Sequence, residues 1–133
     1  MIGLVLVAHE RLAEEFRNAL EHIVGPQKQM TTLSMGADDD VDTMRITLLE
    51  AARKVDTGEG VVILTDMFGG TPSNLAISVM GEGPIEVIAG MNLPMLVKLA
   101  KLRSEKSLPE LVDCAQEAGR KYIRVASQVL VGK

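Results

Sequence analysis

The chain has almost no aromatic residues: two Phe, one Tyr and no Trp in 133 positions. A core without them has to be assembled from Leu, Val, Ile, Met and Ala, and no aromatic platform is left for stacking on bases. Basic charge is also in short supply. Lys and Arg number 14 against 18 Asp and Glu, a net charge of −4 with no run of either cation, so nucleic acid is excluded as an expected partner. The one cysteine, Cys114, rules out an internal disulfide and a cysteine-based zinc cluster. It falls in an apolar helical stripe and reads as a small buried residue rather than a nucleophile. Long hydrophobic runs are missing too. The first apolar stretch, Ile2 to Ala8, is too short for a membrane span and has no basic leader before it. The expectation is a soluble, cytoplasmic protein with no direct membrane insertion, built as one domain over residues 1–133.

What is present is a regular alternation of strand and helix signals. Residues 2–8 form a continuous apolar run, as in a parallel strand covered on both faces. A helix follows, with Leu12, Phe16, Leu20, Ile23 and Val24 on one stripe, ended by Gly25-Pro26. Residues 28–34 read as a weaker strand nearer a sheet edge. Asp38-Asp39-Asp40 open a second helix with Val41, Met44, Leu48, Ala52 and Val55 facing inward, the acids suiting a helix N-terminus. A third strand spans residues 61–65, and Thr71 as N-cap with Pro72 at the first helical position starts a short helix. The fourth strand is 85–89, another proline-led helix starts at Leu93-Pro94, and Ser107 to Glu110 is a capping-box spacing for the last helix. From Tyr122 the pattern fits either continued helix to Val131 or a strand over Val125–Val131. The expected fold is an open, mainly parallel α/β sheet of four strands in order 2-1-3-4, with helices on both faces.

In such a sheet, chemistry collects beyond the carboxyl ends of the strands. His9 stands at the end of the first strand and Asp66 at the end of the third. An imidazole is a good nucleophile toward a phosphoryl group, and a carboxylate accepting one ring N–H leaves the other nitrogen free to attack. Gly69-Gly70 allows close backbone approach, and the helix start at Thr71-Pro72 offers free N–H groups and a positive dipole end. Gly69, Gly70, Thr71 and Ser73 are therefore the candidate phosphoryl-binding residues, with His9 and Asp66 as the catalytic pair. No carboxylate arrangement suggests Mg²⁺, and no metal or other cofactor is expected.

Each of these residues has an ordinary reading when taken alone. A histidine after a strand is usually structural, and an Asp before Gly-Gly is commonly a turn former. Met67 and Phe68 fit a core, or a partner surface if Phe68 is exposed. The Asp38–Asp40 run lacks the spacing and glycine of a calcium loop. Only the joint placement of His9 and Asp66 at two strand ends lifts the chemical reading above these. A receiver-like phosphoaspartate switch would want paired acids after the first strand, where His9-Glu10 stands. A histidine phosphatase or mutase would want Arg before the histidine, where Ala8 stands.

Three segments in order resemble the enzyme IIA domain of the mannose-type bacterial phosphoenolpyruvate-dependent sugar phosphotransferase system. They are Val7-Ala8-His9, the stretch Leu64 to Asn74, and Val87 to Leu96. The resemblance implies that His9 accepts a phosphoryl group from the phosphocarrier HPr and passes it to a histidine of an enzyme IIB. It implies that Asp66 orients His9 and that Thr71 and nearby backbone help to hold the phosphoryl group. Met67, Phe68, Asn92 and Met95 become partner-binding candidates. It further implies a homodimer, with a C-terminal antiparallel strand exchanged between copies. Met67 departs from the pattern, since relatives often carry a hydroxyl there, and the C-terminal segment does not match closely. No IIB domain follows before Lys133, so a separate acceptor protein is expected; the alternative is a phosphorylation-state sensor without sugar transport.

Overall fold

A computed structural model describes residues 1–36 and 38–131. Four strands form one sheet, β1 (Gly3–His9), β2 (Met30–Met35), β3 (Val61–Thr65) and β4 (Ile85–Ala89), in the order β2-β1-β3-β4. All three pairings are parallel, which is the topology that the alternating signals imply. The central strands β1 and β3 are buried from end to end up to His9. The edge strands are only partly so, as the weaker apolar pattern of β2 anticipates.

Five helices cover the two faces, α1 (Leu12–Val24), α2 (Val41–Val55), α3 (Thr71–Val79), α4 (Leu93–Leu102) and α5 (Leu108–Lys121), and a short sixth, α6 (Ala126–Val131), follows them. Because strand side chains alternate, Leu4, Leu6, Val62 and Leu64 pack with Leu20, Leu96, Leu99 and Leu111 on the α1, α4 and α5 side. Val5, Val7, Val61 and Ile63 pack with Leu48, Ala52, Leu75 and Val79 on the α2 and α3 side. Short polar signals fix the helix starts. The Asp40 carboxylate accepts from the Thr43 N–H at 3.3 Å, and Ser107 and Glu110 form a reciprocal capping box.

Several expectations are corrected. The helix after β3 is capped by Gly70, so Thr71 is its first residue and Pro72 its second. Leu12, Ile23 and Val41 are exposed rather than inward; each lies in the first or last turn of its helix. Residues Val125–Val131 do not form a strand. After a break at Tyr122–Val125 they make the short helix α6, with Gln128 and Val129 N–H groups donating to the Val125 carbonyl. A lone chain end satisfies its own backbone by local bonds, whereas a strand needs a second edge to pair with. None of the residues of α6 is buried.

Met95 is corrected from partner surface to core: it is 4 % exposed and packs under Gly119 of α5. Asn92 is half-buried and serves structure as well. Its Oδ1 caps α4 by accepting from the Met95 N–H at 3.1 Å, and its Nδ2 donates to the Gly119 carbonyl at 2.9 Å.

Candidate functional site

β1 and β3 are adjacent and in register from Gly3↔Val61 to Val7↔Thr65. The residues just past their shared end therefore arrive side by side. The Asp66 Oδ2 accepts the His9 Nδ1–H at 2.8 Å and the His9 backbone N–H at 3.1 Å. One carboxylate oxygen thus fixes both the main chain and the ring of His9. The second oxygen accepts from the Met67 N–H at 3.1 Å. The ring is open, its side chain 46 % exposed, while the carboxylate behind it is 11 % exposed.

Burial pushes the Asp66 carboxyl upward. The hydrogen bonds from the His9 ring and backbone, with the ring's charge when protonated, outweigh that and hold it below the ordinary carboxylate range. An ionised Asp66 accepts from Nδ1–H and so selects the tautomer in which Nε2 carries a free lone pair. Nε2 is the nitrogen left open to chemistry.

The glycine turn closes on that nitrogen. A Cβ built on Gly70 would lie 2.9 Å from His9 Cε1 and 3.2 Å from Nε2, a separation that side chains do not tolerate. Glycine lets the backbone come this close to the imidazole without displacing the ring. Gly69, at φ +92°, makes the turn, and its N–H donates to Ser73 Oγ at 3.3 Å. Past the turn, α3 opens with Thr71 exposed and Pro72 lacking an N–H. The free first-turn N–H groups give this helix end its positive character.

His9, Thr71 and Pro72 line one depression of about 200 Å³ together with Glu10, Met35, Gly36, Asp39 and Val41. Of the expected site residues, the structure brings together His9, Asp66, Gly69, Gly70 and Thr71. Ser73 is fully buried and supports the turn from below. Met67 and Phe68 stand out from the loop, Phe68 at 74 % exposure, so the aromatic side chain is not part of the core. Asn92 and Met95 have the capping and packing tasks described above. Five residues of the depression were not singled out as site residues in sequence: Glu10, Met35, Gly36, Asp39 and Val41. Their signal was positional: Glu10 and Gly36 follow directly on β1 and β2, and Asp39 and Val41 lie a few residues past β2. Among the described residues no group of three metal-ligating side chains is assembled, and no helix is long and apolar enough to cross a membrane.

The fold agrees with that of known proteins. Residues 3–116 match the family model EIIA-man, described as the PTS system fructose IIA component. The mannose-specific EIIAB component of Escherichia coli strain K12 is 33 % identical over 125 residues, 92 % of this chain. The chain spans only 39 % of the length of that relative. The fructose-specific EIIA component of Bacillus subtilis strain 168 is 24 % identical over 98 % of the chain and 90 % of its own length. Among solved structures, a phosphotransferase system component EIIA from Streptococcus agalactiae superposes with a TM-score of 0.88 at 26 % identity, covering 96 % of this chain and 99 % of the other. The mannose/sorbose-specific IIA subunit from Enterococcus faecalis gives 0.82 at 29 % identity, with 93 % of each chain covered.

Proposed function

The chain belongs to the mannose-type enzyme IIA family of the phosphotransferase system, and on that premise we propose that it is a cytoplasmic phosphocarrier acting through His9. It accepts a phosphoryl group from phospho-HPr and passes it to a histidine of a separate enzyme IIB. The observation that carries the reading is the Nδ1–Asp66 hydrogen bond of 2.8 Å, which leaves Nε2 as the nucleophile. The Nε2 lone pair forms the new N–P bond as the bond from phosphorus to the donor breaks, and the donor atom keeps that electron pair. The Nδ1 proton stays between the ring and Asp66, so the phosphorylated ring is cationic beside a carboxylate. Gly69, Gly70 and Thr71 line the phosphoryl oxygens with the Thr71 hydroxyl and backbone N–H groups, and Ser73 holds the turn in shape. Met67 and Phe68 supply an apolar contact for both partners. Onward transfer reverses the step with IIB in the donor's place, and no metal is required because the N–P bond itself drives it.

The test is incubation with phosphoenolpyruvate, enzyme I and HPr, read by intact mass. A gain of one phosphate, labile in acid and absent from His9→Ala, is the expected result; no gain with folded protein and cognate HPr overturns the reading. Adding a mannose-type IIB then separates carrier from sensor. Loss of label to IIB identifies the carrier, and stable label identifies the sensor of an incomplete system.

The same reading takes the protein as a homodimer. Ile123, Val125, Leu130 and Val131 are exposed along the C-terminal segment. An apolar groove of about 420 Å³ lies open between Ile23, Leu93, Val97 and Tyr122. Sedimentation of the full chain is expected to give a dimer, and a monomer at high concentration would remove this part of the reading.

A further inference from the structure

Glu10 follows the phosphorylatable histidine with φ at +52°, a left-handed conformation in which a residue with a long side chain is uncommon. The backbone reason is plain: the turn lets the Glu10 N–H donate to the Met35 carbonyl at 2.9 Å and tie β1 to the end of β2. Glycine would meet that demand with less strain. Strain held at a functional position points to a use for the side chain.

That side chain is exposed, and among the described residues its carboxylate forms no ion pair. It lines the same depression as His9, together with Asp39 and Thr71, and no Lys or Arg lines that depression among the described residues. The neighbouring cation, Arg11, is paired with Glu14 at 3.3 Å. The Asp39 carboxylate is turned onto the Gly36 N–H at 2.7 Å. The depression that His9 lines is thus lined by two acidic residues and, among the described residues, by no Lys or Arg.

We propose that Glu10 is a tuning residue: its charge stands against the phosphoryl group of phospho-His9 and makes this chain a readier donor than the bare histidine–aspartate pair. The proposal rests on His9 being the phosphorylated residue. Like charges raise the free energy of the phosphorylated form, while unphosphorylated His9 presents no anion for Glu10 to repel. The equilibrium is thereby tilted toward handing the group on, without any change to the nucleophile or to Asp66.

The experiment measures how the phosphoryl group divides at equilibrium between HPr and this protein, in wild type, Glu10→Gln and Glu10→Asp, across ionic strength. Glu10→Gln keeps the side chain's size and the backbone strain and removes the charge. At low salt it is expected to hold the phosphoryl group about two- to fivefold more strongly than wild type, the scale of exposed charge pairs. The difference is expected to shrink as salt screens it, and Glu10→Asp is expected to stay near wild type. Equal partition in wild type and Glu10→Gln at low salt, or a difference that salt does not move, overturns the proposal. Labelling of neither protein by phospho-HPr would overturn the phosphocarrier reading itself, a distinct failure.

Discussion

At the amino end of the sheet Gln29 is held at φ +51°; at the carboxyl end Glu10 is held at φ +52°. The two are the non-glycine residues with positive φ among the described residues, and their surroundings differ completely. The Gln29 amide donates to the carbonyls of Met1 and Val55 at 3.1 and 3.0 Å and to Thr57 Oγ1 at 3.3 Å. Beside it Arg103 is 1 % exposed. Its guanidinium donates to the carbonyls of Gln29 and Lys28 and to Gln27 Oε1, and at 3.4 Å to the Ile2 carbonyl. Burial pushes the Arg103 guanidinium down, with the charge of Arg17 adding to it, and the carbonyl cage stands in for a carboxylate. At the other end a strained glutamate and a half-exposed histidine share an open depression. One end uses strained backbone to close the fold, and the other uses it to leave a side chain unengaged at the mouth. The polar groups at the closed end spend most of their donors on backbone oxygens, with only the Arg103 Nε left unpaired there, whereas those at the open end are left with capacity to spare.

Breaking the closed end has the largest expected effect. Arg103→Met removes the donors to several buried oxygens and is expected to cost about 3 kcal/mol or more in urea unfolding. Phosphoryl labelling per folded molecule should be unchanged, because no part of the carboxyl end touches Arg103. At the open end Asp66→Asn keeps the shape but releases the tautomer, and is expected to slow transfer on the order of 10²-fold in a rapid-quench assay. This variant also gives a pH signature. The Asp66 pKa is lowered by folding, so its stabilisation is full above the unfolded carboxylate range near ~3.9 and fades as pH falls through the lower folded value. The gap in Tm between wild type and Asp66→Asn is therefore expected to narrow in acid; a constant gap would mean that the pair does not contribute through charge.

Gly70→Ala sharpens the view of the site geometry, since the new Cβ must push the His9 ring aside. A fall in transfer rate of about tenfold with little change in Tm is expected, roughly 1.4 kcal/mol of barrier. The smallest effects compare the two left-handed residues directly. Glu10→Gly relieves strain and loses no contact, so it is expected to gain about 0.5–1 kcal/mol. Gln29→Gly relieves the same strain but loses three hydrogen bonds, so it is expected to destabilise. Effects of the same sign would show that the two ends do not differ in the way the contacts imply.

Much of this was legible in the chain because it depends on near neighbours in sequence. Uninterrupted apolar runs specify β1 and β3, the Ser107–Glu110 spacing specifies a cap, and the fold rules then bring His9 to Asp66. Less legible was whatever depends on a backbone angle or on distant packing. Glu10 looks like any polar residue after a strand until its φ is known. Arg103 continues the Leu96–Leu99 stripe of α4 at helical spacing, a sign of burial that its charge conceals. Asn92 and Met95 sit in a stretch that resembles the family, yet capping and core packing place them there. The C-terminal segment is apolar enough for strand or helix, and which one forms depends on what it finds to pair with.

The double grip of Asp66 on His9 also sets the order of events. With Nδ1 occupied and the main chain held by the same oxygen, the ring presents a single nitrogen, Nε2, to the outside. On the proposed reading donor and acceptor both meet the ring at Nε2 and so take turns there. If His9 carries the group between two partners as proposed, its kinetics are those of a turnstile: each partner, in excess, obstructs the other, and throughput peaks when the two are balanced.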